Sequence, residues 1–189
     1  MKDNDLINLV AGQLESASVA AGWNYIVIQK NEPTQQGVPT AASIFFEKLF
    51  DKPYGHPSHS LAINDDIQSF TSTEEQWYET HFQVSTLVTQ DPENLSLPTA
   101  SDVANYLKMY IASRQSRSVF MAENVGTLRV TEVRNPYFEN DKHRMEAHPS
   151  FDIVFTHIRD IEFQVPGTNI VEGTVIEGID SVGVFPVVP

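Results

Sequence analysis

Two segments of alternating aromatic and β-branched residues, 74–89 and 150–165, constrain the fold of this chain more than any other feature. Each is far longer than the ~5–6 residues of an ordinary β-strand. Strands of this length need hydrogen-bonding partners along their whole course, from their own sheet or from a neighbouring subunit. The pattern therefore predicts a large sheet and favours assembly over enzymatic chemistry.

The chain has 189 residues, which is enough for one well-buried core. We therefore predict a single domain over residues 1–165. Residues 166–189 are rich in glycine and valine and end in prolines, so they read as an extended C-terminal arm that lies on a neighbouring surface or subunit. Ile176 and Val182 are the arm residues expected at that interface.

The first elements are predicted from apolar periodicity. Residues 3–21 read as a helix, capped by Asp3 or Asn4 and ended by Gly22. Its apolar stripe recurs at every fourth position: Leu6, Val10 and Leu14.

Two β-rich segments follow this helix. Residues 23–29 and 42–50 predict strands that pair as an antiparallel hairpin across a loop at 30–40, with residues 26–28 buried on both faces. Residues 51–73 contain prolines, a glycine and polar residues, so we expect a long loop that contacts a partner, in part through Tyr54.

The clearest helix begins at Thr99. Its hydroxyl is a good N-cap, and Asp102 three residues later completes an aspartate version of the capping box. The expected apolar face is Val103, Leu107, Met109, Tyr110 and Ile111.

The remaining segments complete the layout. Residues 119–125 fit a short helical turn or an edge strand, 128–133 a strand, and 135–148 a polar turn region. The long strand at 150–165 then places Phe151, Ile153 and Phe155 on one side, with Ile161 and Phe163 continuing it. The order predicts an α+β fold: an antiparallel or mixed β-sheet flanked by two main helices, with a long loop and a C-terminal arm.

The formal net charge of −13 argues against tight binding of nucleic acid, which needs clustered lysine and arginine. Eight of the twelve basic residues lie between Lys108 and Arg159. We therefore expect a positive group that meets the acidic residues at 51–66 or 74–75 of a neighbouring subunit, although ordinary surface charge explains it equally well. Its members are Arg129, Arg134, Lys142, Arg144 and Arg159.

The chain has no cysteine, which excludes disulfides, thiolate nucleophiles and cysteine-type zinc sites. Its N-terminus has no long apolar run, so we expect neither a signal peptide nor a membrane span, and a soluble protein.

The histidines give no convincing metal or catalytic site. His56 and His59 have a spacing seen in metal sites but no fixed further ligand, and His143 and His148 do not have the spacing of a metalloprotease helix. His81 and His157 lie within the two long strands, where a pH-sensitive contact or half-exposed positions are both open. No nucleophile turn or phosphate-binding loop occurs, so we predict no catalytic, cofactor-binding or metal-binding residues.

Three stretches together resemble the neck or tail terminator proteins of tailed bacteriophages. They are QKNEPTQQGVPTAASIFFEKLF, WYETHFQVSTLVT and HPSFDIVFTHIRDIEFQVP, and the resemblance extends over residues 5–165. It rests on the order of these segments, with a helix between the second and the third.

This resemblance implies a virion structural protein of α+β fold, assembled in the host cytoplasm as a hexameric ring at the head-proximal end of the tail. The ring would end growth of the tail tube, contact the tail tube protein and the head-completion or adaptor proteins, and let DNA pass through its lumen without specific binding. It implies no cofactor, no catalytic residue and no membrane. The residues themselves leave two alternatives open: another head–tail connector or adaptor protein, and a small acidic enzyme or ligand-binding domain.

Overall fold

The computed structural model describes residues 1–30, 41–63, 69–88, 96–139 and 145–166. Within them lie three helices: α1 (Asp3–Ala20), α2 (Ala100–Ala112) and α3 (Arg114–Ala122). The strands, in chain order, are β1 (Ile26–Gln29), β2 (Ser43–Ile63), β3 (Ser69–Leu87), β4 (Gly126–Val130), β5 (Tyr137–Glu139), β6 (Met145–Ala147) and β7 (Ser150–Pro166). None of the helices within these ranges is long and apolar enough to cross a membrane.

Five strands form one mixed sheet in the order β1-β2-β3-β7-β4, and β5 pairs with β6 in a separate two-stranded sheet. β4 runs antiparallel to β7, with Gly126 opposite Thr156. Residues 64–68 are too few for the crossover that a parallel pair requires, so β2 and β3 are antiparallel. The predicted α+β class with a mixed sheet is confirmed, and a third helix is added to the two that were expected.

The expected antiparallel hairpin of the first two strands is wrong. β1 pairs with β2 in parallel, with Ile26 opposite Ser43. The connection between them runs from Lys30 to Ala42, which is long enough to carry the chain back to the starting edge. Burial of residues 26–28 on both faces is also wrong, because 58% of Ile26 is exposed at the edge of the sheet.

The long loop expected at 51–73 is wrong too. β2 continues to Ile63 and β3 begins at Ser69, so only residues 64–68 separate them. Gly55 has φ +72°, a conformation that glycine adopts readily within an irregular strand. The prolines and glycine there suggested a loop, whereas a mostly exposed strand tolerates them.

The helices cover one face of the sheet and share one apolar core with it. α1 contributes Leu6, Val10 and Leu14 to this core, as its periodicity predicted. Gly22 ends that helix in a left-handed conformation with φ +76°. The core residues from the sheet and the later helices are Ile44, Phe46, Phe82, Val84, Val103, Ala104, Leu107, Ile111, Phe120, Val125, Phe151, Ile153 and Phe155.

Capping distinguishes α2 from α1. Thr99 accepts a hydrogen bond from the backbone of Asp102, whose carboxylate accepts in return from the backbone of Thr99, so the predicted capping box is confirmed. α1 begins after Lys2 with no side-chain cap, so the expected cap at Asp3 or Asn4 is wrong. Met109 was expected on the apolar face of α2, but it is exposed.

The segment after Ser113 is more regular than expected. α3 begins immediately, with the Ser113 hydroxyl accepting from the backbone of Ser116. The polar turn region expected at 135–148 contains β5 and β6, with Tyr137 opposite Ala147.

The described chain divides into two compact units. Unit 1 comprises Met1–Gly55 and Trp77–Arg159 and contains the whole apolar core. Unit 2 comprises His56–Gln76 together with the chain from Asp160 onward, and β2, β3 and β7 contribute residues to each unit. The arm predicted after residue 166 lies outside the described residues, and the single domain over 1–165 stays a prediction.

Candidate functional site

A cluster of charged side chains lies where the first turn of α1 meets β2 and β7. The Lys48 ammonium is 2.6 Å from Asp51 and 2.7 Å from Asp3. The Arg159 guanidinium donates to Asp51 at 2.8 Å and also bonds to Asp3. Two cations and two carboxylates therefore neutralise one another and tie α1 to two strands.

A local irregularity in β2 brings this cluster together. Lys48 and Asp51 are three residues apart, so a regular strand would point their side chains to opposite faces. Their contact shows that β2 departs from strict alternation between them, as a β-bulge does. Leu49 and Phe50, between the two charges, are both exposed.

Thr80 and His157 extend the cluster into the core, where both are buried. The Thr80 hydroxyl lies 2.7 Å from Asp51 Oδ1 and 2.9 Å from His157 Nε2. Because the carboxylate can only accept, the hydroxyl donates to Asp51 and accepts from Nε2, which must carry a proton. His157 Nδ1 is buried and has no hydrogen-bond partner within the described part of the chain.

Two pKa values are shifted by this environment. Burial lowers the pKa of His157, and the positive charges of Arg159 and the N-terminus act in the same direction. Burial alone would raise the pKa of Asp51, but hydrogen bonds from Lys48 and Thr80 and the charges of Lys48 and Arg159 lower it overall. The cluster thus favours an ionised Asp51 beside a neutral His157.

This arrangement stabilises structure and is unsuited to nucleophilic catalysis. In a catalytic triad, the hydroxyl gives its proton to the histidine. Here the Thr80 proton is directed at Asp51, and the histidine itself donates to the hydroxyl oxygen. Arg159 also lies 4.8 Å from the centre of the Tyr78 ring, which is a cation–π contact across β3.

Two of the predicted interface arginines bond to carboxylates of their own chain. Arg159 lies in the charged cluster, where it forms an ion pair with Asp51 of its own chain. Asp51 is one of the acidic residues that were expected to contact a neighbouring subunit. Arg134 Nη2 donates to both carboxylate oxygens of Asp152, at 2.8 and 2.7 Å, but 57% of the arginine side chain remains exposed. Arg129 is exposed on β4. Lys142 and Arg144 lie outside the described residues.

Tyr54 lies on β2 beside Trp77 of β3, with their ring centres 6.1 Å apart, and both rings are exposed. Phe50 stacks on His81 at 4.2 Å on the same pair of strands. These contacts place aromatic side chains on the sheet surface, as expected for an interface. Ile176 and Val182 lie outside the described residues.

The described histidines lie in different surroundings. His59 is exposed, 3.5 Å from Glu74. No group of three or more potential metal ligands occurs within the described ranges, which exclude His143. His157 is buried rather than half-exposed, and His81 stacks on the exposed Phe50, so the two strand histidines do not meet.

Unit 2 includes parts of three long strands, β2, β3 and β7. Its internal contacts include a hydrogen bond from Gln164 to Thr71 at 3.1 Å. None of its described side chains is buried. Apolar side chains are nevertheless present and exposed: Leu61 at 73%, Ile161 at 58% and Phe163 at 48%.

The fold and this site define an α+β protein with long strands, exposed apolar side chains and a polar cluster that supports the structure. Residues 5–167 match the model of the family described as E217 gateway protein gp29. The chain belongs to that family, which is a phage head–tail gateway family. No curated protein matches the chain.

Membership in this family makes the chain a phage neck protein with a structural, head–tail connecting role. The predicted class of phage structural protein is thereby confirmed. The family is not typically enzymatic, and it implies a place in the virion neck and contacts with head and tail components.

Proposed function

We propose that this protein is the tail, or neck, terminator: a homohexameric ring at the head-proximal end of the tail. In this role it ends growth of the tail tube, binds the tail tube protein on one side and a head-completion or adaptor protein on the other, and surrounds a DNA passage. The observation that carries the proposal is that unit 2 has strands with exposed apolar side chains and no buried described residue.

Unit 2 supports assembly for an energetic reason. Leu61, Ile161 and Phe163 leave apolar surface in water, at a cost of roughly 25 cal/mol for each Å² that a partner would cover. These exposed apolar side chains are available for burial against a partner. A ring that covers these side chains with the next copy, or with the adjoining ring, removes that cost.

The charge supports a DNA passage without DNA binding. A net charge of −13 repels phosphates, so DNA can move close to the protein without being held. We therefore expect no retardation of duplex DNA by the purified protein, even at about 50 mM salt, where non-specific binding is strongest.

The first test is the absolute mass of the purified protein across a range of concentrations, by light scattering behind a sizing column. The proposal expects a discrete mass of six chains, alone or after the tail tube protein is added. A protein that stays monomeric with both the tail tube and the head-side component present contradicts the ring.

A pair of variants tests the role of unit 2. Phe163→Glu places a charge in the exposed apolar surface and should abolish the ring mass without unfolding the chain, because the side chain lies outside the core. Met121→Glu on α3 is the matched control, since Met121 is also an exposed apolar residue. If the Phe163→Glu and Met121→Glu variants have the same assembled mass, unit 2 does not form the interface.

A further inference from the structure

Four aromatic rings form a ladder beside the end of α1, away from the charged cluster. The centre of the Trp23 ring lies 5.6 Å from Tyr25, in a stacked arrangement, and 5.0 Å from Tyr106, edge to face. Tyr106 in turn stacks on Tyr110 at 6.5 Å. All four residues are partly buried, and Trp23, Tyr25 and Tyr110 pack against the apolar core.

Local structure fixes the ladder in place. Asn24 has φ +54°, which sets the turn between Trp23 and Tyr25. The backbone amide of Tyr25 donates to the buried Ser18 hydroxyl at 2.7 Å. On α2, Tyr106 and Tyr110 are four residues apart and therefore share one face. A row of partly exposed tryptophan and tyrosine residues has the composition of a recognition surface, because such rings give contact area at little entropic cost.

The chain itself carries a ligand of matching chemistry. The 23 residues after Pro166 include ten valine, isoleucine and phenylalanine residues and no lysine or arginine, and they end in FPVVP. Pro186 and Pro189 have the P-x-x-P spacing of segments that adopt the polyproline II helix and bind aromatic-lined surfaces.

We infer that the Trp23–Tyr25–Tyr106–Tyr110 ladder is the docking site for the C-terminal FPVVP segment of a second copy of this chain. The choice of a second copy rests on the proposed ring, in which a terminal segment can reach the next subunit. The arrangement would link each copy to its neighbour and cover a strongly apolar segment that water disfavours.

Disulfide trapping in the full chain tests this inference, and the absence of native cysteine gives a clean background. One chain carries Met109→Cys on α2, adjacent to the ladder, and a differently tagged chain carries Val188→Cys. The matched control replaces Met109→Cys by Met121→Cys on α3, because both methionines are 70% exposed. Each chain has one cysteine, so a mixed-tag disulfide can form only between copies.

We expect the 109–188 disulfide to exceed the 121–188 disulfide by about tenfold, because docking holds the thiols at a high effective concentration. Adding Pro186→Ala and Pro189→Ala to the Val188→Cys chain should remove this excess. The inference is overturned if the 109–188 and 121–188 disulfides form in equal yield. It is also overturned if the two proline substitutions leave the yield of the 109–188 disulfide unchanged. A disulfide that forms only when both cysteines are in one chain overturns the choice of a second copy.

The same samples separate this inference from the ring. A six-chain mass without the 109–188 excess refutes the docking site and leaves the ring standing. If the 109–188 disulfide is in excess but the protein has the mass of a dimer and no larger species, the docking site is supported and the hexamer is refuted.

Discussion

The Arg159 guanidinium reaches across β3 to bond with the Asp51 carboxylate on β2, at 2.8 Å. Only β3 lies between the two strands, so the residues are two steps of about 4.8 Å apart, and the long arginine side chain covers that distance by passing over the Tyr78 ring. The bond therefore holds three neighbouring strands together by a side-chain contact, in addition to their backbone ladders.

Removing this contact should destabilise the protein. We expect Arg159→Ala to lower the free energy of unfolding by about 1–3 kcal/mol, because Asp51 then loses a charged hydrogen-bond donor in a partly buried site. Arg134→Ala is the matched control: its ion pair with Asp152 is more exposed, so its loss should cost no more than about 1 kcal/mol. Chemical denaturation measures both values, and an equal loss would contradict the structural role of Arg159.

Stability should fall as the pH drops below the ordinary pKa of histidine. Because the pKa of His157 is lowered in the folded protein, the unfolded chain binds more protons between that pKa and about 6.5. His148, whose pKa is lowered mainly by burial, contributes in the same direction. The free energy of unfolding should therefore decrease from pH 7.5 to pH 5.5.

His157→Gln should remove part of this pH dependence, since the glutamine amide can still donate to Thr80 but does not titrate in this range. The double variant with His148→Gln should remove more. An unchanged slope in His157→Gln would show that the imidazole does not stay neutral in the folded protein.

The capping box of α2 should contribute measurably to stability. Thr99→Ala removes the side-chain acceptor for the Asp102 backbone amide, and we expect a loss of about 1 kcal/mol. Thr99→Ser keeps the hydroxyl and should stay close to the parent protein in thermal unfolding. If the serine variant loses as much as the alanine variant, the hydrogen bond is not the cause.

A side chain at residue 126 should be incompatible with the β4–β7 pair. A Cβ added to Gly126 would lie 2.4 Å from the Thr156 hydroxyl oxygen, so Gly126→Ala should cost about 1–3 kcal/mol. Thr156→Ala removes the obstructing oxygen and should recover most of that cost in the double variant. Denaturation of the two single variants and the double variant completes the cycle.

Gly12→Ala is the control in which the added Cβ meets no neighbouring atom. It lies within α1 with no atom near the added Cβ, so it should stabilise the protein by up to about 1 kcal/mol. Similar destabilisation at both glycines would mean that the clash with Thr156 is not the cause of the loss at Gly126.

Local signals predicted the elements that local chemistry decides. The capping box at Thr99 and the alternation of Phe151, Ile153 and Phe155 each depend on neighbouring residues, and both are confirmed. The orientation of β1 against β2 depends on the path of the connection, which hairpin preferences do not describe. The strand at 51–63 was missed because its prolines, glycine and polar residues resemble a loop when the strand is mostly exposed.

The charged cluster was missed for a different reason. Asp3, Lys48, Asp51 and Arg159 are each ordinary surface residues in their own segments, and only the fold brings them together. His157 did carry a signal, since it continues the buried alternation of Phe151, Ile153 and Phe155. A histidine on that side needs a polar partner inside the core, and Thr80 provides it.

The contact between Asp3 and Arg159 spans 156 residues of sequence, which has a consequence during synthesis. The ribosome adds about 5–20 residues per second, so the first helix must wait on the order of ten seconds before its ionic partner on the last strand exists. During that interval the nascent chain exposes the amphipathic helix α1 together with β2 and β3, which have not yet paired with β7. Chaperone occupancy on the ribosome should therefore persist until the codons for the last strand have been translated.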